Sequence, residues 1–95
     1  MANSTIKKIT GLETSKNIYA DQGGDLNNIK SPGIYYVGKD VPNAPDNWGI
    51  LTVLVNSSGL VIQQFCTGWE FYFRGFMGSP ASWTIWRRAE RTNVT

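Results

Sequence analysis

The chain contains no histidine and only one cysteine, Cys66. Without an imidazole, no Ser-His or Cys-His nucleophile pair can be assembled, and Cys66 lacks an activating base. One cysteine also excludes an intramolecular disulfide scaffold. Within a strand-like run it reads as a small buried apolar residue. No apolar stretch approaches the roughly 20 residues that span a bilayer. The opening MANSTIKKITG has no apolar core of the kind a secretory leader carries. The chain therefore reads as a product of the cytoplasm, with release by lysis or by assembly into a particle left open. Charge of either sign is sparse, and the net value is +2. Most of the basic residues divide between Lys7, Lys8 and Lys16 at the start and Arg74, Arg87, Arg88 and Arg91 near the end, with Lys30 and Lys39 between them. They form no basic run and accompany no recognition helix, so nucleic acid is not expected as a partner.

The remaining reactive groups are the carboxylates Glu13, Asp21, Asp25, Asp40, Asp46, Glu70 and Glu90. A glycosidase needs two carboxyls held across a glycosidic bond. Asp46 and Glu70 could approach each other, but solvated loop and strand charges are the plainer reading. Ligands at zinc spacing are absent. Asp40, Asp46 and loop carbonyls could hold calcium, yet no segment matches a dedicated loop. Neither catalysis nor a metal or cofactor is expected.

What the chain does hold is a succession of strand-like runs joined by short loops, with Trp48, Trp69, Trp83 and Trp86 among them. Ninety-five residues make one domain with a modest core. Residues 1–23 are polar, with Ile6, Ile9 and Leu12 spaced by three, and threonines at 5, 10 and 14 weaken a helix there. This stretch reads as a lead-in, a short strand or extended connector to something upstream, ended by Gln22-Gly23-Gly24. Residues 24–95 form the β domain. Asp25 can cap a short turn through Leu26, Asn27 and Asn28. Ser31-Pro32-Gly33 is a turn, and Ile34–Val37 follows as a strand. Gly38 to Trp48 is a loop too rich in proline for regular structure.

Gly49 to Val55 is apolar on both faces, which implies burial on both. Asn56-Ser57-Ser58-Gly59 turns the chain into a strand from Leu60 to Cys66. Thr67-Gly68 reads as a two-residue turn into a strand from Trp69 to Arg74. There Phe71 and Phe73 share one face while Glu70, Tyr72 and Arg74 share the other. Phe76 to Ser82 reads as a loop. Trp83 to Arg88 closes the set, with strict alternation putting Trp83 and Trp86 on opposite faces, one in the core and one at a subunit interface or surface. The polar tail frays. The expected fold is mainly β: a small antiparallel meander of four to five strands behind a short helical turn or extended lead-in. One such sheet cannot cover two apolar faces with its own loops. Either the N-terminal turn packs on one face or neighbouring chains do, and oligomerisation adds buried area to a small core.

Read in order, the pattern is Asp25-Leu26-Asn27, then Pro32-Gly33 before an aromatic strand, then Asn43 and Pro45 in a loop before Gly49–Val55. After Gln64 comes an aromatic strand with Arg74 near its end, and then the paired Trp83 and Trp86. This ordered set, across roughly residues 24–89, resembles the knob domains of bacteriophage tail fibres and of R-type pyocin fibres. The resemblance implies a homotrimeric β domain on a host-recognising fibre, joined upstream to a shaft or other tail proteins of a virion or phage-like particle. The few residues beyond Arg88 fit a tip position, while some such knobs are spacers within a shaft.

A loop tryptophan beside amides and a carboxylate suits sugar recognition, because the indole stacks on the apolar face of a pyranose while the polar groups take its hydroxyls. Trp48 with Asn43, Asp46 and Asn47 has that composition; equally, Trp48 can pin the loop to the sheet. Arg74 could meet anionic groups such as lipopolysaccharide phosphates or lie against Tyr72 or Trp86 as a cation–π partner. Met77 and Ser79 sit in the apparent loop, where recognition tends to concentrate. The expected receptor-binding set is thus Asn43, Asp46, Asn47, Trp48, Trp69, Arg74, Met77 and Ser79. The expected oligomer-interface set is Leu54, Gln64, Trp86 and Arg88. The partner would be a bacterial surface glycan or an outer-membrane protein, with no membrane insertion. The alternatives are a structural trimerisation or spacer module and, less favoured, a glycan-degrading depolymerase.

Overall fold

The computed structural model describes residues 16–90 and 92–94. The spacing of Ile6, Ile9 and Leu12 lies outside the described residues. The elements are β1 (Lys16–Ile18), two 3₁₀ turns (Ala20–Gln22 and Leu26–Asn28), β2 (Gly33–Val37), β3 (Gly49–Val55), β4 (Val61–Cys66), β5 (Phe71–Gly78), β6 (Ala81–Trp83) and β7 (Arg87–Arg88). The fold is mainly β. All seven strands join one sheet in the order β1 to β6, with β7 also paired to β5.

From β2 onward the sheet is an antiparallel meander. The count exceeds the four to five strands expected, and the sheet is mixed because β1 runs parallel to β2. Ile18 of β1 is buried in the core. Residues 16–23 are therefore built into the domain, and a boundary after residue 23 cuts through its edge. Lys16-Asn17-Ile18 has no strand-like alternation of its own. Its extended form comes from pairing with β2.

One face of the sheet is covered. Tyr35 and Val37 of β2, Leu51 and Val53 of β3, and Val61 and Phe65 of β4 all point to it and are buried. The Leu26–Asn28 turn closes this face: Leu26 is fully buried. As expected, Asp25 caps that turn, its Oδ1 accepting from the Asn27 N–H at 2.9 Å. Val41 of the long loop completes the lid. The opposite face is open. Ile50, Leu54, Phe71, Phe73 and Met77 all remain exposed. Burial of β3 on both faces therefore does not occur within one chain.

The C-terminal third departs most from simple alternation. Phe76 to Ser82 is not a loop. β5 continues to Gly78, turns at Ser79-Pro80 and pairs with β6, so that Phe76 faces Trp83. The expected last strand is then broken. Trp83 lies opposite Phe76 and Arg87 opposite Phe73, so four steps on one strand face three on the other. This is a one-residue bulge. Thr84 bridges it: its N–H donates to the Gly75 carbonyl at 2.8 Å, and its Oγ1 accepts from the Gly75 N–H at 3.0 Å. An extra residue reverses side-chain parity. Trp83 and Trp86 consequently pack on the same core rather than facing opposite sides.

Gly49 shows how tightly the covered face is filled. A Cβ there would lie 2.4 Å from the Phe65 ring and 2.9 Å from the Cys66 carbonyl oxygen. Phe65 is fully buried and meets the rings of Tyr72 and Trp86 edge-on, so it has nowhere to move. Gly49→Ala is expected to cost about 1–3 kcal/mol by overpacking, read as a lower urea midpoint with an unchanged slope.

Candidate functional site

The Gly38–Trp48 loop emerges from β2 and returns into β3. It carries three non-glycine residues in the left-handed region: Asp40 (φ 59°), Asn43 (φ 63°) and Trp48 (φ 57°). That conformation is uncommon for any L-residue and an outlier for one as bulky as tryptophan. Such residues persist only where their surroundings hold them, and here they do. The Asn47 Oδ1 accepts from the Asp40 N–H at 2.9 Å. The Asp46 Oδ1 accepts from the Asn47 N–H at 2.8 Å, and its Oδ2 accepts from the Tyr72 hydroxyl at 3.2 Å. Burial first, and the Asp46 carboxylate second, push the Tyr72 phenol above its ordinary pKa.

The loop is thus held rigid with its last residue projecting. Trp48 is 60% exposed. Trp69 is 81% exposed and sits in the connection between Cys66 and Phe71, which are paired. Because Ile50 pairs with Cys66, Trp48 and Trp69 occupy the same end of the sheet. The Thr67 hydroxyl oxygen accepts from both the Trp69 and Glu70 N–H groups. This makes a four-residue connection rather than the two-residue turn expected. The fold therefore brings Asp46, Asn47, Trp48 and Trp69 to one end.

Asn43 has structural work in the same loop. Its amide donates to the Asp25 Oδ1 at 2.8 Å, and its carbonyl accepts from the Trp86 indole N–H at 2.8 Å. The Asn43 amide and then the Asn27 N–H hold the Asp25 carboxyl below its ordinary pKa.

Arg74 is not at the surface. It is 6% exposed, with its Nε donating to the Gln63 Oε1 at 2.8 Å and its Nη1 to the Asn27 Oδ1 at 2.9 Å. Its guanidinium carbon lies 4.0 Å from the Trp83 ring and 4.6 Å from the Trp86 ring. A receptor phosphate cannot reach it there, and of its two expected roles the geometry fits the cation–π one. Burial pulls its pKa down to about 10, which leaves it charged at neutral pH. Gln63 is fully buried. Its Nε2 donates to the carbonyls of Leu26 and Ile29, both at 2.8 Å. The Trp83 indole N–H donates to the Asn27 carbonyl at 3.2 Å. One polar knot therefore ties β4, β5, both C-terminal tryptophans, the Leu26–Asn28 turn and the long loop.

Met77 and Ser79 lie far from this end, at the β5–β6 turn beside the Ser58-Gly59 turn. Of the expected interface residues, Leu54 and Gln64 sit on the open face, where Gln64 pairs with Thr52 on one side and Phe73 on the other. Trp86 is turned inward. Arg88 lies at the sheet edge, its exposed side chain 3.9 Å from the largely buried carboxylate of Glu70. Sequence reasoning missed Tyr72 as the tie to Asp46, and Asn27 and Gln63 as partners of Arg74. No local pattern marks them, because each contact joins residues distant in the chain.

Among the described residues, no three of His, Cys, Asp and Glu gather as a metal site. No helix among them is long and apolar enough to cross a membrane. In comparisons with family models, curated proteins and solved structures, nothing matches the chain.

Proposed function

We propose that this domain is a receptor-binding module of a phage or phage-like tail fibre. It works as a homotrimer that holds a bacterial surface glycan, or an outer-membrane protein, without chemistry. The observation that carries this reading is the pair of exposed indoles, Trp48 and Trp69, at one end of the sheet beside a loop pinned by Asn47 and Asp46. Large aromatic faces left in water on a rigid support are the usual anchors of a binding surface. Preorganisation lowers the entropy lost on binding. Three such ends on one trimer would add by avidity.

A second reading, a trimerisation or spacer module that binds nothing, is favoured by the open apolar face alone. The two separate experimentally. Trp48→Ala with Trp69→Ala removes exposed side chains, so the fold should survive. Each anchor lost is expected to cost about 2 kcal/mol, roughly thirtyfold in affinity. Binding of fluorescently labelled protein to susceptible cells should fall to background. Unchanged cell binding or infectivity in the double variant, with assembly intact, would leave the spacer reading.

A further inference from the structure

At the end of the sheet that carries Trp48 and Trp69, the fold uses up acceptors and leaves donors over. Each Asp46 oxygen already accepts one hydrogen bond, from the Asn47 N–H and from the Tyr72 hydroxyl. The Asn47 Oδ1 accepts from the Asp40 N–H. A hydroxyl oxygen has two lone pairs, and in Thr67 both are taken, by the Trp69 N–H at 3.1 Å and the Glu70 N–H at 2.9 Å. These bonds hold the loop and the Thr67–Glu70 connection in shape.

The donors at the same end are uncommitted. Among the described residues, the Asn47 Nδ2, the Thr67 O–H and the indole N–H groups of Trp48 and Trp69 donate to no protein group. The inward-turned tryptophans differ: the Trp83 indole N–H donates to the Asn27 carbonyl and that of Trp86 to the Asn43 carbonyl. The outward pair thus offers apolar ring faces edged by open N–H groups.

This accounting narrows the ligand. A sugar acid or phosphate is not favoured, because the end sets the carboxylates of Asp40, Asp46 and Glu70 against the cations of Lys39 and Arg88 alone. A purely apolar ligand would strip water from the Asn47 amide without replacing it. The hydroxyls of a plain hexose donate as well as accept, and their hydrogens meet acceptors that the fold already occupies. An acetamido group suits the surface better. Its carbonyl only accepts, its methyl is apolar, and its one N–H can stay on water.

We infer that this end binds an N-acetylhexosamine unit. The acetamido carbonyl accepts from the Asn47 amide, and the methyl and the ring C–H face lie on the indoles of Trp48 and Trp69. The inference rests on the receptor-binding reading above and narrows its glycan to a neutral N-acetylated one.

The test is an NMR titration of the full ¹⁵N-labelled chain with three disaccharides that differ only at the C2 substituent: N,N′-diacetylchitobiose, its deacetylated form and cellobiose. Saturable shifts are expected with the first, at the Trp48 and Trp69 indole N–H and the Asn47 side-chain amide. The Trp83 indole N–H, held by Asn27, should not move. Cellobiose and the deacetylated sugar should bind at least about tenfold more weakly, the equivalent of one net hydrogen bond. Asn47→Asp keeps an oxygen for the Asp40 N–H and removes the amide donors. It should lose a similar factor while the Asp40 amide resonance shows the loop intact. No saturable shift with N,N′-diacetylchitobiose, equal affinity for cellobiose, or full binding by Asn47→Asp would overturn the inference. If the sugar fails while Trp48→Ala with Trp69→Ala still abolishes cell binding, the inference falls and the receptor-binding function stands.

Discussion

Arg74→Ala is expected to cost about 4 kcal/mol of folding free energy, from a total that for domains of this size is roughly 5–15 kcal/mol. Two losses combine. The Gln63 Oε1 and Asn27 Oδ1 lose their donors, and a buried acceptor left without one costs about 1–3 kcal/mol. The space beside Trp83 and Trp86 is emptied as well, and a large-to-small change in a packed core adds about 2–5 kcal/mol before relaxation. The midpoint of thermal unfolding should drop by roughly 20 °C. Arg74→Lys keeps the charge but loses the planar fork that serves both acceptors and lies against both indoles, so it should recover only part of the loss. Urea titration followed by tryptophan fluorescence reads both variants directly. A loss under about 1 kcal/mol for Arg74→Ala would mean the knot is ornamental to stability.

Leu54→Lys combined with Phe73→Lys should convert the proposed trimer into single chains of 10.6 kDa. Both positions lie on the open face, at 50% and 39% exposure. By register this face runs in rows: Leu54 beside Ile62 and Gly75, Thr52 beside Gln64 and Phe73, and Ile50 beside Cys66 and Phe71. Exposed apolar side chains gathered on one face, here around Thr52 and Gln64, are the kind of surface that the proposed trimer would bury. Within one chain the two lysines would point into water, so secondary structure and the covered core should be unchanged. Between chains they would bury unpaired charges, which is strongly unfavourable. Light scattering or sedimentation of the parent should give three times the single-chain mass, and the parent's thermal midpoint should rise with protein concentration. A parent that sediments as a single chain at micromolar concentration would remove the trimer from the proposal, and so would a variant that stays assembled.

The middle of the fold was plain in the sequence. β2, β3 and β4 are runs of β-branched and aromatic residues bounded by Pro32-Gly33, Trp48-Gly49 and the Asn56–Gly59 turn, so local chemistry and pairing agree. The Asp25 cap was legible for the same reason. β5 was cut short because Gly75, Gly78 and Pro80 look like loop residues. Gly75 in fact marks the bulge opposite Thr84. For Arg74 the sequence leaves an anion contact and a cation–π contact both open, and it carries no mark of the burial, which is seldom seen for a charged residue. Its burial depends on Gln63, eleven positions away yet directly opposite it in register. Asp46, Asn47, Trp48 and Trp69 are brought to one end of the sheet. Met77 and Ser79 go to the other, since a loop assignment carries no information about which end the loop occupies.

The extra residue between Trp83 and Arg87 has a consequence for how this sequence can change. Were the bulge lost at unchanged length, strict alternation would return and swing an indole from inside to outside. Composition and strand propensity would barely register such an event. The bulge held by Thr84 against Gly75 is therefore the guarded property of this segment, and tolerated indels should collect instead around the Ser57-Ser58 and Ser79-Pro80 tips.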